Sequence, residues 1–208
     1  VCSDEKEGIE ESNEDGIYTV RAYYRKVKLK IPGVAQLIKL SRYLSAWKKA
    51  LAVYTRKAGK PDIINSNIVY PVSLMALRLA RKWKIPYIIT EHWTGYFPED
   101  GRYKGFWLKL LTQRAVKHAS AIVTVSEALK KRMTAVGLAN QYYVIANVVD
   151  TKVFNLPAAQ KQGQSFNFIH VSGLDVEQKN VQGIIRAFAA IHKQFPATLL
   201  TIVGNGEA

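Results

Sequence analysis

The sequence predicts an α/β fold, a Rossmann-like parallel sheet with helices on both faces, followed by the first β-α-β of a second such domain. Three observations carry this. Short β-rich apolar runs alternate with stretches of helical spacing, the breaks between them are brief, and after a polar stretch the same rhythm starts afresh.

The elements follow in order. "VCSDEKEG" reads as the tail of a strand running into a loop, and "IYTVRAYY" as a strand. Residues 34–58 read as a helix in which Leu37, Leu40, Leu44, Trp47 and Leu51 pack on the sheet while Lys39, Arg42, Lys48 and Lys49 face water. "DIINSN", after Pro61, is a strand, "PVSLMALRLARKW" a helix, and "YIITEH", opened by Pro86, a central strand covered on both faces. "YKGFWLKLLTQRAVKH" is helical, "AIVTVS" a strand, "EALKKRMTAV" a helix closed by Gly137, and "YYVIAN" a strand. Residues 1–150 form the first domain, 151–164 with "AAQKQGQS" a linker, and 165–208 the start of the second, with strand "FNFIHVS", helix "VQGIIRAFAAIHKQF" and strand "ATLLTIVG". The chain opens without Met and stops just after a strand, so it is expected to be a piece of a longer protein.

Composition narrows the classes. Hydrophobic residues make up 48% of the 208, so the chain can bury a core. No apolar run approaches the roughly 20 residues of a membrane-spanning helix. Cys2 is the single cysteine, which excludes an internal disulfide framework and a thiolate metal site and fits a reducing cytoplasm. The net charge of +14 is uneven: residues 1–15 hold seven acids and one base, whereas Gly16 to Pro61 hold twelve bases and no acid. A helix carrying such bases among Tyr, Trp and Leu suits either core packing with a wet basic face, or contact with anionic lipid or another polyanion.

No G-x-G-x-x-G, G-x-x-x-x-G-K-[ST] or G-x-S-x-G occurs, "GNG" near the end is too short to count, and the four histidines have no metal-ligand spacing. What remains is polar residues at strand ends: Asn65 and Asn67, Glu91 and His92, Ser126, and Asn147 with Asp150. In open α/β sheets the carboxyl edge of the strands is where ligands bind.

"DIINSNIVYPVSLMALRLARKWKIPYIITEHW", "ASAIVTVSEALKKRM", "YYVIANVVDTKVF" and "FNFIHVSGLDVEQKNVQGIIRAF" resemble, in order and spacing, segments of family 4 glycosyltransferases. The resemblance covers residues 62–208, with 1–61 fitting more loosely. It implies the GT-B fold, two Rossmann-like domains facing across a cleft, the first holding the acceptor and the second the donor. It implies retaining transfer of a sugar from a nucleotide-sugar to a glycan or glycolipid acceptor in polysaccharide or cell-envelope biosynthesis, with no metal and no cofactor. By the same resemblance His92 is the catalytic histidine that faces the donor sugar. Lys179 contacts the donor diphosphate, and Gly173 and Asn147 belong to the donor side. The family's paired arginine is absent near Gly173 and Leu174, and Val148 stands where the family's turn has glycine. Glu91, Ser126, Asp150 and Asn67 are expected at the cleft or acceptor side. For three of these a structural role competes: Glu91 as a brace of the loop, Ser126 as the N-cap of "EALKK", Asp150 as the cap of "TKVF". "GYFPEDGRYKGFWLK" is either a lid or acceptor loop, or an anchor of the next helix through Phe106, Trp107 and Leu108.

The protein expected is a cytoplasmic enzyme, peripheral at the inner face of a membrane through helix 34–58, with no nucleic-acid partner. The 208 residues alone are expected to be inactive, because the family's acidic pair for the donor lies beyond Ala208. The rival is a non-catalytic basic module binding a membrane surface or polyanion.

Overall fold

The computed structural model describes residues 2–4, 6–29, 31, 33–155, 166–174 and 179–206. Residues 156–164 of the expected linker lie outside the described residues, as do 175–178 ahead of Lys179. The chain divides into two compact units.

The first unit comprises Val1–Glu91, Leu111–Val123 and Leu138–Tyr143. It opens with β1 (Cys2–Asp4), β2 (Gly8–Glu14) and β3 (Ile17–Arg25) in the order β1-β3-β2. β2 corrects the expectation of a loop. It pairs antiparallel with β3, Glu14 opposite Ile17, through Asp15 and Gly16 at φ 51° and 80°. A two-residue turn with both φ positive matches the twist of the flanking strands, and Asp-Gly adopts it cheaply.

Helix α1 (Val34–Ala58) lies on this hairpin. Its contact face is Tyr43, Ala46 and Ala50 against Ala22, Tyr24 and Ile9, with Tyr54 stacked on Tyr18 at 6.1 Å between ring centres. The expected leucine face is corrected at its start: Leu37 is 68% and Leu40 50% exposed, whereas Leu44, Trp47 and Leu51 are half-buried. Ala46 and Ala50, a turn apart, let this part of the helix approach a tyrosine-bearing strand closely. Arg42, expected in water, donates to the carbonyl oxygens of Arg25 (2.8 Å) and Lys26 (3.2 Å). A hollow of about 90 Å³ lies here, walled by Tyr24, Arg42, Ala46 and Lys49 among others.

The acid block and the basic block meet in this layer. Glu14 takes both terminal nitrogens of Arg21, at 2.6 and 2.7 Å. Lys49 lies 3.7 Å from Glu7, and Lys57 3.6 Å from Glu11. Each such exposed pair adds little stability, but together they offset part of the charge asymmetry of the sequence.

The second sheet has the order β4-β5-β6-β7, with β4 (Ile64–Asn67), β5 (Tyr87–Glu91), β6 (Ala121–Thr124) and β7 (Tyr142–Val144). β4 and β5 are parallel, Ile64 opposite Tyr87 and Asn67 opposite Thr90. Helix α2 (Leu74–Trp83) buries Ala76, Leu77 and Ala80, and α3 (Phe106–His118) buries Thr112, Ala115 and Val116. Ile89 and Ile122 are wholly buried. The Tyr87 hydroxyl donates to the Ala115 carbonyl, and burial pushes its pKa up to about 12.

The second unit comprises His92–Leu110, Thr124–Gly137 and Val144–Ala208. It contains α4 (Glu127–Ala135) and a β-α-β of β8 (Asn167–Val171), α5 (Val181–Gln194) and β9 (Leu199–Val203), the two strands parallel. α5 packs on them through Phe188, whose ring meets that of Phe168 edge-on at 6.0 Å.

Candidate functional site

In the first unit the chain leaves β4 by an unusual route. Ile68 has φ 73°, a conformation costly for a β-branched residue. Three hydrogen bonds hold it. Ile68 N–H donates to the Thr90 carbonyl at 2.8 Å, Ser73 Oγ donates to the Ile68 carbonyl at 2.9 Å, and Val69 N–H donates to Glu91 Oε2 at 2.9 Å. Glu91 is wholly buried, and Ser73 Oγ also lies 2.6 Å from buried Ser66 Oγ. The buried acid at the end of β5 thus fixes the backbone leaving β4. Beside it Thr90 Oγ1 donates to Asn65 Oδ1 at 3.0 Å, and Asn67, in register with Thr90, is exposed.

Glu91 and His92 adjoin in sequence but differ in burial. Side chains alternate along a strand, so when Glu91 goes into the packing the next residue turns out. His92, the residue after β5, is exposed.

In the second unit the stretch after His92 folds on its own aromatics. Trp93 meets Tyr96 edge-on at 5.0 Å, and Tyr96 meets Tyr103 at 4.9 Å, both tyrosines buried. A Cβ on Gly95 would lie 2.0 Å from Trp93 Cζ2, so only glycine lets the chain pass under the indole. Arg132 of α4 donates from Nε to the Tyr96 carbonyl at 2.6 Å. Asp100 accepts from Arg102, which with Thr94 holds its carboxyl down to about 2. Phe106 and Trp107 do not anchor α3, being largely exposed, whereas Leu108 is half-buried.

Ser126 caps α4, its Oγ accepting the Leu129 N–H at 3.2 Å. Asp150 caps a turn, Oδ1 accepting the Lys152 N–H at 2.8 Å. Asn147 is exposed, as is Val148, which has no positive φ.

At the carboxyl ends of β8 and β9 the "GNG" set aside in the sequence has a role. A Cβ on Gly204 would lie 1.9 Å from the Ser172 carbonyl oxygen, and one on Gly206 2.6 Å from that of Leu174. The two glycines let the loops after β8 and β9 run side by side, joined by Leu174 N–H to the Asn205 carbonyl at 3.0 Å. Gly173 has open space where a Cβ would stand, and Lys179 is exposed just before α5. The α5 cap is Asn180, in the left-handed conformation at φ 47°, its Oδ1 accepting the Gly183 N–H at 3.2 Å.

Asn67 and Glu91 thus stand at strand ends of the first unit, and His92, Ser126, Asn147, Asp150, Gly173 and Lys179 belong to the second. Sequence reading missed Ile68, Ser66 and Ser73, for a strained residue and a buried hydroxyl pair leave no pattern. It missed the loop-packing role of Gly204 and Gly206 although the motif was visible. Among the described residues no three His, Cys, Asp or Glu side chains gather as a metal ion needs.

Parallel strands, intervening helices and polar carboxyl-terminal strand ends make this an α/β fold of the GT-B glycosyltransferase type. A sucrose-phosphate synthase from Thermosynechococcus elongatus has a similar structure, with TM-score 0.53 and 14% identity over 89% of this chain and 55% of that one. The family model described as Glycosyltransferase Family 4 matches residues 1–153, and the chain belongs to that family. It is also 26% identical over 162 residues to glycogen synthases from two strains of Mycobacterium tuberculosis, CDC 1551 / Oshkosh and ATCC 25618 / H37Rv. The match takes in 73% of this chain and spans 37% of those relatives' length.

Proposed function

We propose that the protein carrying this chain transfers a sugar, with retention, from a nucleotide-sugar donor to a glycan or glycolipid acceptor, using neither a metal nor a separate cofactor. The supporting observation is His92, exposed at the carboxyl end of β5 directly above the buried Glu91 that fixes the neighbouring loop. In this reading residues 1–150 hold the acceptor, 151–164 link, and 165–208 begin the donor side. Asn67, Glu91, Ser126 and Asp150 are assigned to the acceptor side in this reading, Ser126 and Asp150 each ordering the segment it caps.

Such a transfer builds positive charge on the sugar ring and negative charge on the departing diphosphate. Lys179, the N–H groups at the start of α5 and the open backbone at Gly173 are of the chemical kind that holds phosphate oxygens. Asn147 contributes an amide on the donor side. His92 orients the sugar through a hydrogen bond rather than acting as a base.

The proposal includes a cytoplasmic location with peripheral contact to anionic membrane through α1. Val34, Leu37 and Leu40 are exposed beside Lys39, while the carboxyl-terminal half of the helix pairs with Glu7 and Glu11. Among the described residues no helix is long and apolar enough to cross a membrane.

Calorimetric titration of the whole protein that carries this chain with nucleoside diphosphate sugars tests the donor side. Lys179→Ala is expected to weaken binding about tenfold, the loss of one charge-assisted contact. Equal affinity in the variant and the parent removes Lys179 from the donor site.

A further inference from the structure

We infer that the first turn of α3 is a lipid-facing patch whose aromatic side chains insert into the surface of an anionic bilayer, a contact separate from α1 and independent of the transfer chemistry. Phe106 and Trp107 are 70% and 71% exposed, and Leu110, one turn on from Phe106, is exposed as well. The two rings lie edge to face, 5.4 Å apart, so they form one apolar knob rather than two stray side chains. The core-facing side of the same helix is already filled by Thr112, Ala115 and Val116, so its own packing gives these rings no burial.

The surroundings of the knob select its partner. Lys104 and Lys109, two residues before Phe106 and two after Trp107, are exposed, and Gly101 to Ser126 holds five bases and no acid. Of the two acids before this stretch, Asp100 is engaged by Arg102 and Thr94, and Glu99 is exposed. An apolar tip of Trp, Phe and Leu flanked by lysines is what a peripheral protein presents to a bilayer with anionic headgroups. The rings sit at the level of the headgroups, the indole N–H finds acceptors there, and each nearby cation adds electrostatic attraction. An acidic protein groove would satisfy the charges, but a patch of three apolar side chains offers it little area, whereas a bilayer needs only an anchor and a basic rim.

Flotation with vesicles of phosphatidylcholine and phosphatidylglycerol tests this, with pure phosphatidylcholine as the neutral control. The parent chain should float with the anionic vesicles and not with the neutral ones. Phe106→Ser with Trp107→Ser should weaken partition by about tenfold or more, since each ring leaves water on insertion. Lys104→Glu with Lys109→Glu should weaken it comparably and flatten its salt dependence. All four positions are exposed, so thermal melting should match the parent and exclude misfolding as the cause. Leu37→Ser with Leu40→Ser separates the two membrane contacts. If only that pair abolishes flotation while Phe106→Ser with Trp107→Ser leaves it intact, the α3 inference falls and α1 stands. Absence of flotation by the parent overturns the inference too, as does self-association that the aromatic substitutions abolish without vesicle binding.

Discussion

The sheet β4-β5-β6-β7 and the pair β8-β9 come from the same kind of sequence, apolar runs joined through helices, yet they differ in what covers them. In the four-stranded sheet Ile89 and Ile122 are wholly buried. In the pair, Ile169 of β8 is 69% exposed, with Val171 of β8 and Leu199 and Val203 of β9 exposed too, although Phe168 meets α5. Strand formation therefore does not report burial. A strand is written in its own residues, whereas burial depends on what packs from elsewhere.

The sharpest way to break this comparison is to cut the same side chain in both places. Ile89→Ala should cost about 2–5 kcal/mol in urea unfolding, the loss of a packed side chain plus the cavity it leaves. Ile169→Ala should stay within about 0.5 kcal/mol. Equal costs would mean that the bare face of β8 is covered in solution.

A smaller effect isolates the polar part of the buried sheet. Glu91→Ala strands the Val69 N–H in the interior and should cost about 1–3 kcal/mol while loosening the loop at Ile68. Amide exchange at Val69 should rise with it. Unchanged protection would show that the strained backbone at Ile68 holds without the carboxylate.

The smallest effect belongs to the hairpin, where charge rather than burial is at stake. Arg21, with help from Ser12, lowers the Glu14 carboxyl from 4.5 to about 2, and Lys6 and Tyr18 lower Glu10 and Glu11. Each folded carboxyl binds its proton more weakly than the unfolded chain does, so acid favours unfolding. The contribution should be whole above about pH 4.5 and drain away toward about pH 2. Amide protection in β2 and β3 should fall over that window while β5 holds. A flat profile would dismiss the paired carboxylates as stabilising groups.

The same contrast explains what could be read in advance. Strands β3 to β9 and helices α1 to α5 were legible because each carries its own periodicity, and α4 also its cap at Ser126. β2 was missed because "GIEESNE" is nearly all polar. Its strand character comes from the Asp15-Gly16 turn and from the bases facing it, and the turn alone was a signal in plain view. The facing of α1 was misread at Leu37 and Leu40 because leucines at helical spacing look like a core stripe, whereas the contact with β3 is centred on Ala46 and Ala50 further along. Of the candidate site, the positions at strand ends were legible from Asn, Glu and His following apolar runs. The bonds that shape them, Glu91 to Val69 and Ser73 to Ile68, join segments that no local pattern connects.

His92 is where this account is most exposed to refutation, because an accessible imidazole beyond a buried strand should matter to transfer and not to folding. Thermal melting and sugar-transfer rate, measured together on His92→Ala in the whole protein that carries this chain, separate the two. The account predicts an unchanged melting temperature and a rate lower by roughly 100-fold, the scale of losing one oriented hydrogen-bonding group at a reacting centre. A rate equal to the parent's, or a drop in melting temperature that accounts for the lost rate, would contradict it.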